Sequence, residues 1–516
     1  MPAEAQNTSR HLEVERKFDV VESTVSPSFE GIAAVAHVKK SPTESLDAVY
    51  FDTPSHDLAR HEITLRRRTG GHDAGWHLKL PAGPDARTEI RAPLGTSDPA
   101  AENTVPSELL DVVLAIVRDR PVEPVARITT ERESQLLYSI DGTALAEFSN
   151  DHVAAWSGGA AADTGSVPAE QEWREWELEL VAGNGTADTA LLSRLSNRLL
   201  DAGAAPAGHG SKLARVLGGT LPASGTQAPE DPVHRAVAEQ VDQLLVWDRA
   251  VRADVDDAVH QMRVTTRKIR SLLRESPDSF GLSDGAWILN ELRELASVLG
   301  IARDAEVLAQ RYEQQLNRLA PELVRGAIWD RLVEGARRRY QTGLRRSLIA
   351  MRSPRYFRLL DALDSMAAEI PVAASGEEAP AITIDGAYKK VRKAAKAAAE
   401  LDQVDQSAEE YEHHRDEALH RIRKRAKRLR YTAAATGADE VSKQAKAIQT
   451  LLGDHQDSVV SREHLGQQAK AAHVAGEDTF TYGLLYQHEA DLAESCRQQL
   501  DDALRKLAKS VRKTRT

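Results

Sequence analysis

The segment HLEVERKF, residues 11–18, sets Glu13, Glu15 and Lys17 at every second position. In an extended strand these three share one face while Leu12 and Val14 take the other, so a single surface carries two carboxylates and an ammonium. The pattern recurs down the chain. ITLRRR puts Arg66 and Arg68 together, WHLKLP offers Lys79, TEIRAPL aligns Arg87, Glu89 and Arg91, VARITTERE offers Arg127 and Arg132, and EWELEL aligns Glu175, Glu177 and Glu179. One such strand would read as a solvated outer face. Many of them fit a sheet closed on itself, whose charged faces all point into one lumen.

A lumen of this kind must reconcile two sets of charge. Clustered carboxylates repel one another and protonate unless a cation neutralises them, so Glu13, Glu15, Glu177 and Glu179 read as oxygen ligands for Mg²⁺ or Mn²⁺. The lysines and arginines then need an anion. A polyphosphate satisfies both, because its oxygens can bridge a metal and accept forked hydrogen bonds from guanidinium groups. The chemistry this implies is phosphoryl transfer, in which positioning and charge neutralisation do most of the work.

A second kind of charged pattern lies further along. HQMRVTTRKIR begins at His260 and HRIRKRAKRLR at His420. On a helix, positions 0, 3, 7 and 10 fall within about 80° of arc, so His260, Arg263, Arg267 and Arg270 form one stripe. His420, Arg423, Lys427 and Arg430 form its counterpart, with Lys268 and Arg428 alongside. Neither segment contains an acidic residue, so the repulsion within each stripe calls for an external polyanion. LGIARDAEV from Leu299 and LGDHQDSVV from Leu452 follow in the same order, which marks an internal duplication. In these segments Arg303, Asp304 and Asp457 either orient the basic side chains or cap and pair locally. The histidines lack the spacing of a metal site.

The elements that must position these residues divide the chain in two. Residues 11–217 alternate in short segments broken by Gly, Pro and Asp, as strands do. Residues 218–231, rich in turn formers, read as a linker. Residues 232–510 carry apolar residues at helical spacing and read as all helical, in duplicated halves at about 232–370 and 387–510. At 516 residues, two or three domains are expected. One cysteine, Cys496, excludes an internal disulfide and a thiolate zinc site, and no long apolar run supports export or membrane spanning, so a cytoplasmic location is expected. The net charge of -11 argues against a general nucleic-acid coat.

The motifs EVERK, YFDTP, LRRR, GWHLKLP, RTEIR and EWELEL, in that order, resemble those of CYTH domains, the triphosphate tunnel metalloenzymes. That resemblance implies an eight-stranded antiparallel tunnel with Glu13, Glu15, Glu177 and Glu179 as metal carboxylates and Asp151 of SNDHV as a further ligand. It implies that Lys17, Arg66, Arg68, Lys79, Arg87, Arg132 and Lys212 hold triphosphate, and that Tyr50, Lys17 and Lys79 assist the reaction. The helical half resembles the CHAD domain, a pair of pseudo-symmetric four-helix bundles whose members bind inorganic polyphosphate. Gln456 stands where the first copy has Arg303, which departs from equal halves.

The expectation is therefore an α+β multidomain protein, a metal-dependent hydrolase of inorganic triphosphate. Its helical module would bind longer polyphosphate through the two stripes, polyphosphate granules included. The alternatives are a non-enzymatic polyphosphate-binding adaptor and an enzyme of an organic triphosphate, hydrolysing thiamine triphosphate or cyclising ATP. Membrane is not expected as a partner, and nucleic acid is a weaker one because no base-reading motif accompanies the stripes.

Overall fold

The computed structural model describes residues 9–95, 103–157, 170–181, 188–218, 231–277, 280–282, 286–368, 383–401 and 408–514. Most of the expected linker at 218–231 lies outside them. Contacts divide the chain into two compact units: residues 1–296 with 348–371, and residues 297–347 with 372–516.

The first unit is built on one antiparallel sheet. Its strands are β1 (Ser9–Val20), β2 (His37–Lys40), β3 (Glu44–Asp52), β4 (Thr64–Thr69), β5 (Gly75–Pro81), β6 (Ala86–Ala92), β7 (Glu123–Tyr138), β8 (Ala144–Ser157), β9 (Glu170–Leu180) and the two-residue β10 (Ala205–Pro206). The order β1-β6-β5-β4-β3-β7-β8-β9 closes through pairing of β9 with β1, which makes an eight-stranded barrel flanked by β2 and β10. This is the tunnel that the alternation predicts.

The apolar core of the barrel lies outside its wall. Val14, Phe18, Phe148, Trp176 and Leu178 face away from the lumen and pack against Leu191, Leu192, Leu195 and Leu199 of helix α3 (Thr189–Asp201). Burying these side chains under a helix removes the need to fill the lumen with hydrocarbon. Short α4 (Lys212–Leu217) is capped by Ser211, whose hydroxyl accepts from the Ala214 amide, and sets Leu213, Val216 and Leu217 into a cluster with Ala48, Tyr50, Ile128 and Val153.

On another flank, α1 (Asp57–Arg60) leans on β3 and β4, and α2 (Ser107–Val117) packs against α1. Arg118, at the end of α2 with φ of 60°, is buried and pairs with Asp361 and Asp364. Both belong to α9 (Pro354–Ala368), which packs with α5 (Pro232–Arg252). Asp111 of α2 accepts from Arg252 at 3.1 Å and Arg352 at 2.8 Å. Helix α6 (Ala258–Glu275) and the start of α7 (Trp287–Arg318) complete this unit.

In the second unit α7 continues and is followed by α8 (Gly335–Met351), of which residues up to 347 belong here. Helices α10 (Ile384–Glu400), α11 (Ala408–Ala435), α12 (Asp439–Val474) and α13 (Phe480–Lys513) form a four-helix bundle around Val391, Ile422, Ala426, Leu429, Ile448, Leu452 and Leu507. Among the described residues no helix is long and apolar enough to cross a membrane.

Candidate active site in the tunnel

Strand register brings the charged faces together. Glu15 stands opposite Glu179 and Lys17 opposite Glu177 across β1 and β9, Glu13 opposite Arg87 across β1 and β6, Tyr50 opposite Arg66, and Arg132 opposite Asp151. Glu13, Glu15, Lys17, Tyr50, Arg66, Arg68, Lys79, Arg87, Arg132, Glu177, Glu179 and Lys212 line one cavity of about 90 Å³. Asp151, fully buried, lies behind Arg132 and Lys212. The residues expected to hold metal or triphosphate thus lie in or directly against this chamber, whereas Arg127, five residues before Arg132 and therefore of opposite parity, is exposed on the outer face and pairs with Asp47 at 2.6 Å. A second space of about 660 Å³ shares Glu15, Lys17, Arg87 and Gly210 with the chamber's lining and is walled by Arg16, Phe18, Pro84 and His209 among others.

Within the chamber most charges are already paired. Lys17 Nζ lies 2.5 Å from Glu177 and 2.9 Å from Glu15. Arg132 grips both oxygens of Asp151, at 2.8 and 2.6 Å, and reaches Glu177 at 2.5 Å. Lys212 meets Asp151, Glu175 and Glu177 at 2.8, 2.7 and 2.8 Å. Burial by itself would raise the pKa of Glu177, but Lys17, Lys212 and Arg132 outweigh it and hold the carboxyl well below its usual range. Burial likewise opposes ionisation of Glu15, yet Lys17 and Lys79 bring it down to about 2. Glu175, which the sequence aligned with Glu177 without giving it a role, serves as a counter-ion to Lys212.

Two features of the wall are not balanced internally. Among the described residues the carboxylate of Glu179 has neither an ion pair nor a hydrogen bond. Its pKa is pushed up to about 7, first by burial and then by the charges of Glu13, Glu15 and Glu177, which Lys79 only partly offsets. Conversely, the Nε atoms of Arg66 and Arg68 are buried without an acceptor. The Arg68 pKa is brought down to about 9 by burial and by Arg66 and Arg132. An uncompensated carboxylate beside Glu13 and Glu15 is an all-oxygen donor set that fits a hard divalent cation. The orphaned guanidinium donors fit an oxyanion. Asp151 and both oxygens it offers are already held by Arg132 and Lys212, so it stands in this geometry as their anchor.

Tyr50 is 3% exposed and receives a hydrogen bond from Arg66 at 3.3 Å. Burial raises its pKa, but Arg66 and the nearby lysines win, leaving the phenol more acidic than usual. Lys79 Nζ lies 2.6 Å from Glu13. Arg87 turns its guanidinium to the carbonyls of Glu62 and Gly210 at 3.2 and 2.8 Å. Two oxygen-rich groups have ligand atoms within 4.8 Å of one another, His11 with Glu13 and Glu89, and Asp151 with Glu175 and Glu177. Both are threaded with lysine or arginine, unlike Glu179. Glu89, His77 and His11 carry no role in the sequence reading, although TEIRAPL already places Glu89 on the lumen face.

The helical stripes are less exposed than their charge suggests. On α6 His260, Arg263 and Arg270 are half-buried, Arg267 and Lys268 are exposed, and Arg270 donates to the Leu289 carbonyl at 3.1 Å. On α11 His420, Arg423, Lys427 and Arg430 are half-buried and Arg428 is exposed. Arg430 donates to Gln449 of α12 at 3.1 Å, His420 bonds Gln456, and Arg423 lies so close to Gly453 that a Cβ there would sit 3.2 Å from its guanidinium. The glycine of the second LG motif thus makes room for an arginine of the stripe. Besides Arg267, Lys268 and Arg428, exposed cations include Arg421, Lys424 and Arg425 on α11, and Lys389, Lys390, Arg392, Lys393 and Lys396 on α10. Their signal in the sequence, KKVRKAAK, is a plain basic run that helical geometry alone could have separated from the buried Ala387 and Val391.

Comparison with known proteins separates a tunnel part from a helical part. The CYTH domain model matches residues 11–195 and the CHAD domain model residues 235–466. Two uncharacterised proteins of Mycobacterium tuberculosis, from strains H37Rv and CDC 1551, are each 73% identical over 524 residues, covering 100% of both chains. Among solved structures, PptA from Streptomyces chartreusis is 19% identical and covers 54% of this chain and 99% of its own, with a TM-score of 0.43. The CHAD domain of the plant Ricinus communis is 23% identical, covers 54% and 93%, and has a TM-score of 0.40. HpAC1 from Hippeastrum, described as having a dominant triphosphatase activity, is 16% identical, covers 42% and 98%, and has a TM-score of 0.24. The chain belongs to the family of proteins in which a CYTH tunnel, the domain of triphosphatase- and cyclase-type metalloenzymes, is followed by a CHAD domain.

Proposed function

We propose that the tunnel hydrolyses inorganic triphosphate to diphosphate and phosphate, and that the CHAD region binds longer inorganic polyphosphate. The observation that carries the first part is the pairing of opposite deficits in one chamber. Glu179 lacks a cation, and Arg66 and Arg68 have buried Nε–H donors without acceptors. A metal-bound phosphate chain supplies both.

Glu13, Glu15 and Glu179 would hold Mg²⁺ or Mn²⁺. When bound, such an ion neutralises phosphate charge and can lower the pKa of water. Arg66 and Arg68 hold the middle of the chain, while Lys17, Arg132 and Lys212 exchange part of their contact with Glu177 for phosphate oxygen. The acidic Tyr50 hydroxyl and the Lys79 ammonium would offset the charge that accumulates as the phosphoanhydride P–O bond breaks and diphosphate leaves. Water adds to the terminal phosphorus, and its proton passes to the phosphate products.

The closed part of the chamber, about 90 Å³, suits an unbranched phosphate chain better than a ring. The second reading is an organic triphosphate whose ring would occupy the adjoining space of about 660 Å³. Phosphate release from inorganic triphosphate, ATP and thiamine triphosphate, each with Mg²⁺, Mn²⁺ or chelator, separates the readings. Metal-dependent turnover of inorganic triphosphate is expected to exceed the others, and to fall at least about 100-fold in Glu13→Gln and Glu179→Gln. Absence of turnover on all three with polyphosphate still bound would leave an adaptor. Reversal of Arg263, Arg267, Arg423 and Lys427 to Glu is expected to weaken polyphosphate binding and spare triphosphate turnover.

A further inference from the structure

Glu89, like Asp151, is a carboxylate of the tunnel wall with no exposed surface. Strand β6 sets it between Lys79 of β5 and His11 of β1. One of its oxygens lies 2.8 Å from His77 Nδ1 and 3.8 Å from Lys79 Nζ. The other lies 3.0 Å from His11 Nε2 and accepts from Arg91 Nε. His77 is itself 1% exposed, and its second nitrogen lies 2.9 Å from the Asp73 carbonyl oxygen. The Asp73 carboxylate in turn accepts from Arg68. One run of contacts, Lys79 to Glu89 to His77 to Asp73 to Arg68, therefore links two cations of the phosphate-facing wall to two carboxylates, Glu89 beside Lys79 and Asp73 beside Arg68.

Lys79 has a second anion within reach, Glu13 at 2.6 Å. Glu13 also belongs to the carboxylate group that fits a divalent cation, and a carboxylate drawn to such a cation loosens its hold on an ammonium. Glu89 cannot be drawn away in the same manner. Its oxygens are taken by His77, His11 and Arg91, and although it borders the chamber it has no exposed surface. Resting on the triphosphatase reading above, we propose that Glu89, fixed by His77, is a positioning residue that keeps the Lys79 ammonium aimed at the bound phosphate chain. Glu89 touches no substrate atom, so its effect on catalysis passes through Lys79. A carboxylate serving only to offset buried charge would matter equally whether or not Lys79 were present.

A double-mutant cycle separates the two roles. Wild type, Glu89→Gln, Lys79→Ala and the double variant are compared in the full-length protein. The readouts are kcat and KM for inorganic triphosphate with Mg²⁺ or Mn²⁺, and Kd for triphosphate by calorimetry in the presence of chelator. Glu89→Gln is expected to lower kcat about 10- to 100-fold with a smaller change in KM when Lys79 is present, and less than about 2-fold when it is Ala. His77→Gln is expected to give a weaker version of the same coupling, and Glu89→Asp a partial rescue. Equal losses in both backgrounds would overturn the proposal. Should Glu89→Gln not fold, His77→Gln and Glu89→Asp carry the cycle. If the wild type binds triphosphate without cleaving it, the triphosphatase reading fails alone. The cycle is then read in Kd, where coupling between Glu89 and Lys79 upholds the positioning role and additivity overturns it. A wild type that neither cleaves nor binds triphosphate overturns both.

Discussion

In the tunnel, Lys17, Arg132 and Lys212 each lie within ion-pair distance of two or more carboxylates. On α10 and α11, Lys389, Lys390, Arg392, Lys393, Arg421, Lys424, Arg425 and Arg428 are exposed, and none has an acidic partner among the described residues. Both regions are rich in cations, yet the physical setting differs. A buried cation without a counter-charge loses several kcal/mol of solvation, so the tunnel must carry its own anions and holds its side chains in fixed geometry. A surface cation keeps its water, so the helices can present unbalanced charge at little cost. Under the proposed function, the tunnel would orient one small anion and the helices would attract a long one.

The sharpest way to break this contrast is to remove a tunnel counter-ion. Glu177→Gln strands Lys17, Arg132 and Lys212 around a neutral amide and is expected to destabilise the tunnel by about 3–5 kcal/mol, measured by chemical unfolding. A loss under about 1 kcal/mol would mean that the tunnel cations are as well solvated as those on the helices.

Next in size is the outer flank of the bundle. Reversing Lys389, Lys390, Lys393, Arg421 and Lys424 to Glu is expected to weaken long-chain polyphosphate binding at least about 10-fold at low salt and to flatten its salt dependence. Triphosphate turnover should not change. Unaltered polyphosphate affinity, with loss on reversing the half-buried stripes, would confine binding to those stripes.

The smallest expected effect concerns Glu179. Its pKa in the folded tunnel is about 7, above the ordinary carboxylate value of 4.5, so the folded state holds the extra proton between those values. Stability contributed by this group is therefore full below about pH 4.5 and is lost as pH rises through 7. Glu15 and Glu177, whose pKa values are depressed, act oppositely, and their contribution is lost as pH falls below 4.5. In chelator, melting temperature should decline from pH 5 to pH 8, and Glu179→Gln should remove most of that decline. A slope unchanged in Glu179→Gln would place the uncompensated charge elsewhere.

Much of this was legible in the residues themselves. Alternation of Glu13, Glu15 and Lys17 fixed which side of β1 faces the lumen, because a one-residue slip would have put Phe18 inside and Glu15 under α3. The same period placed Arg66, Arg68, Lys79, Glu177 and Glu179 on the inner face, and the 3.6-residue period separated Ile422, Ala426 and Leu429 from the arginines of α11. Side-chain period is local, so one strand or helix is enough to read it.

What period cannot give is who meets whom. That Glu179 stands without a cation while Glu177 has three, that Glu89 disappears behind Lys79 with His77, and that the stripe on α11 turns partly toward α12 all depend on register and closure between segments far apart in the chain. The charge of a residue is written in its type. The energy of that charge depends on burial and on neighbours brought from elsewhere, and only the tertiary structure decides those.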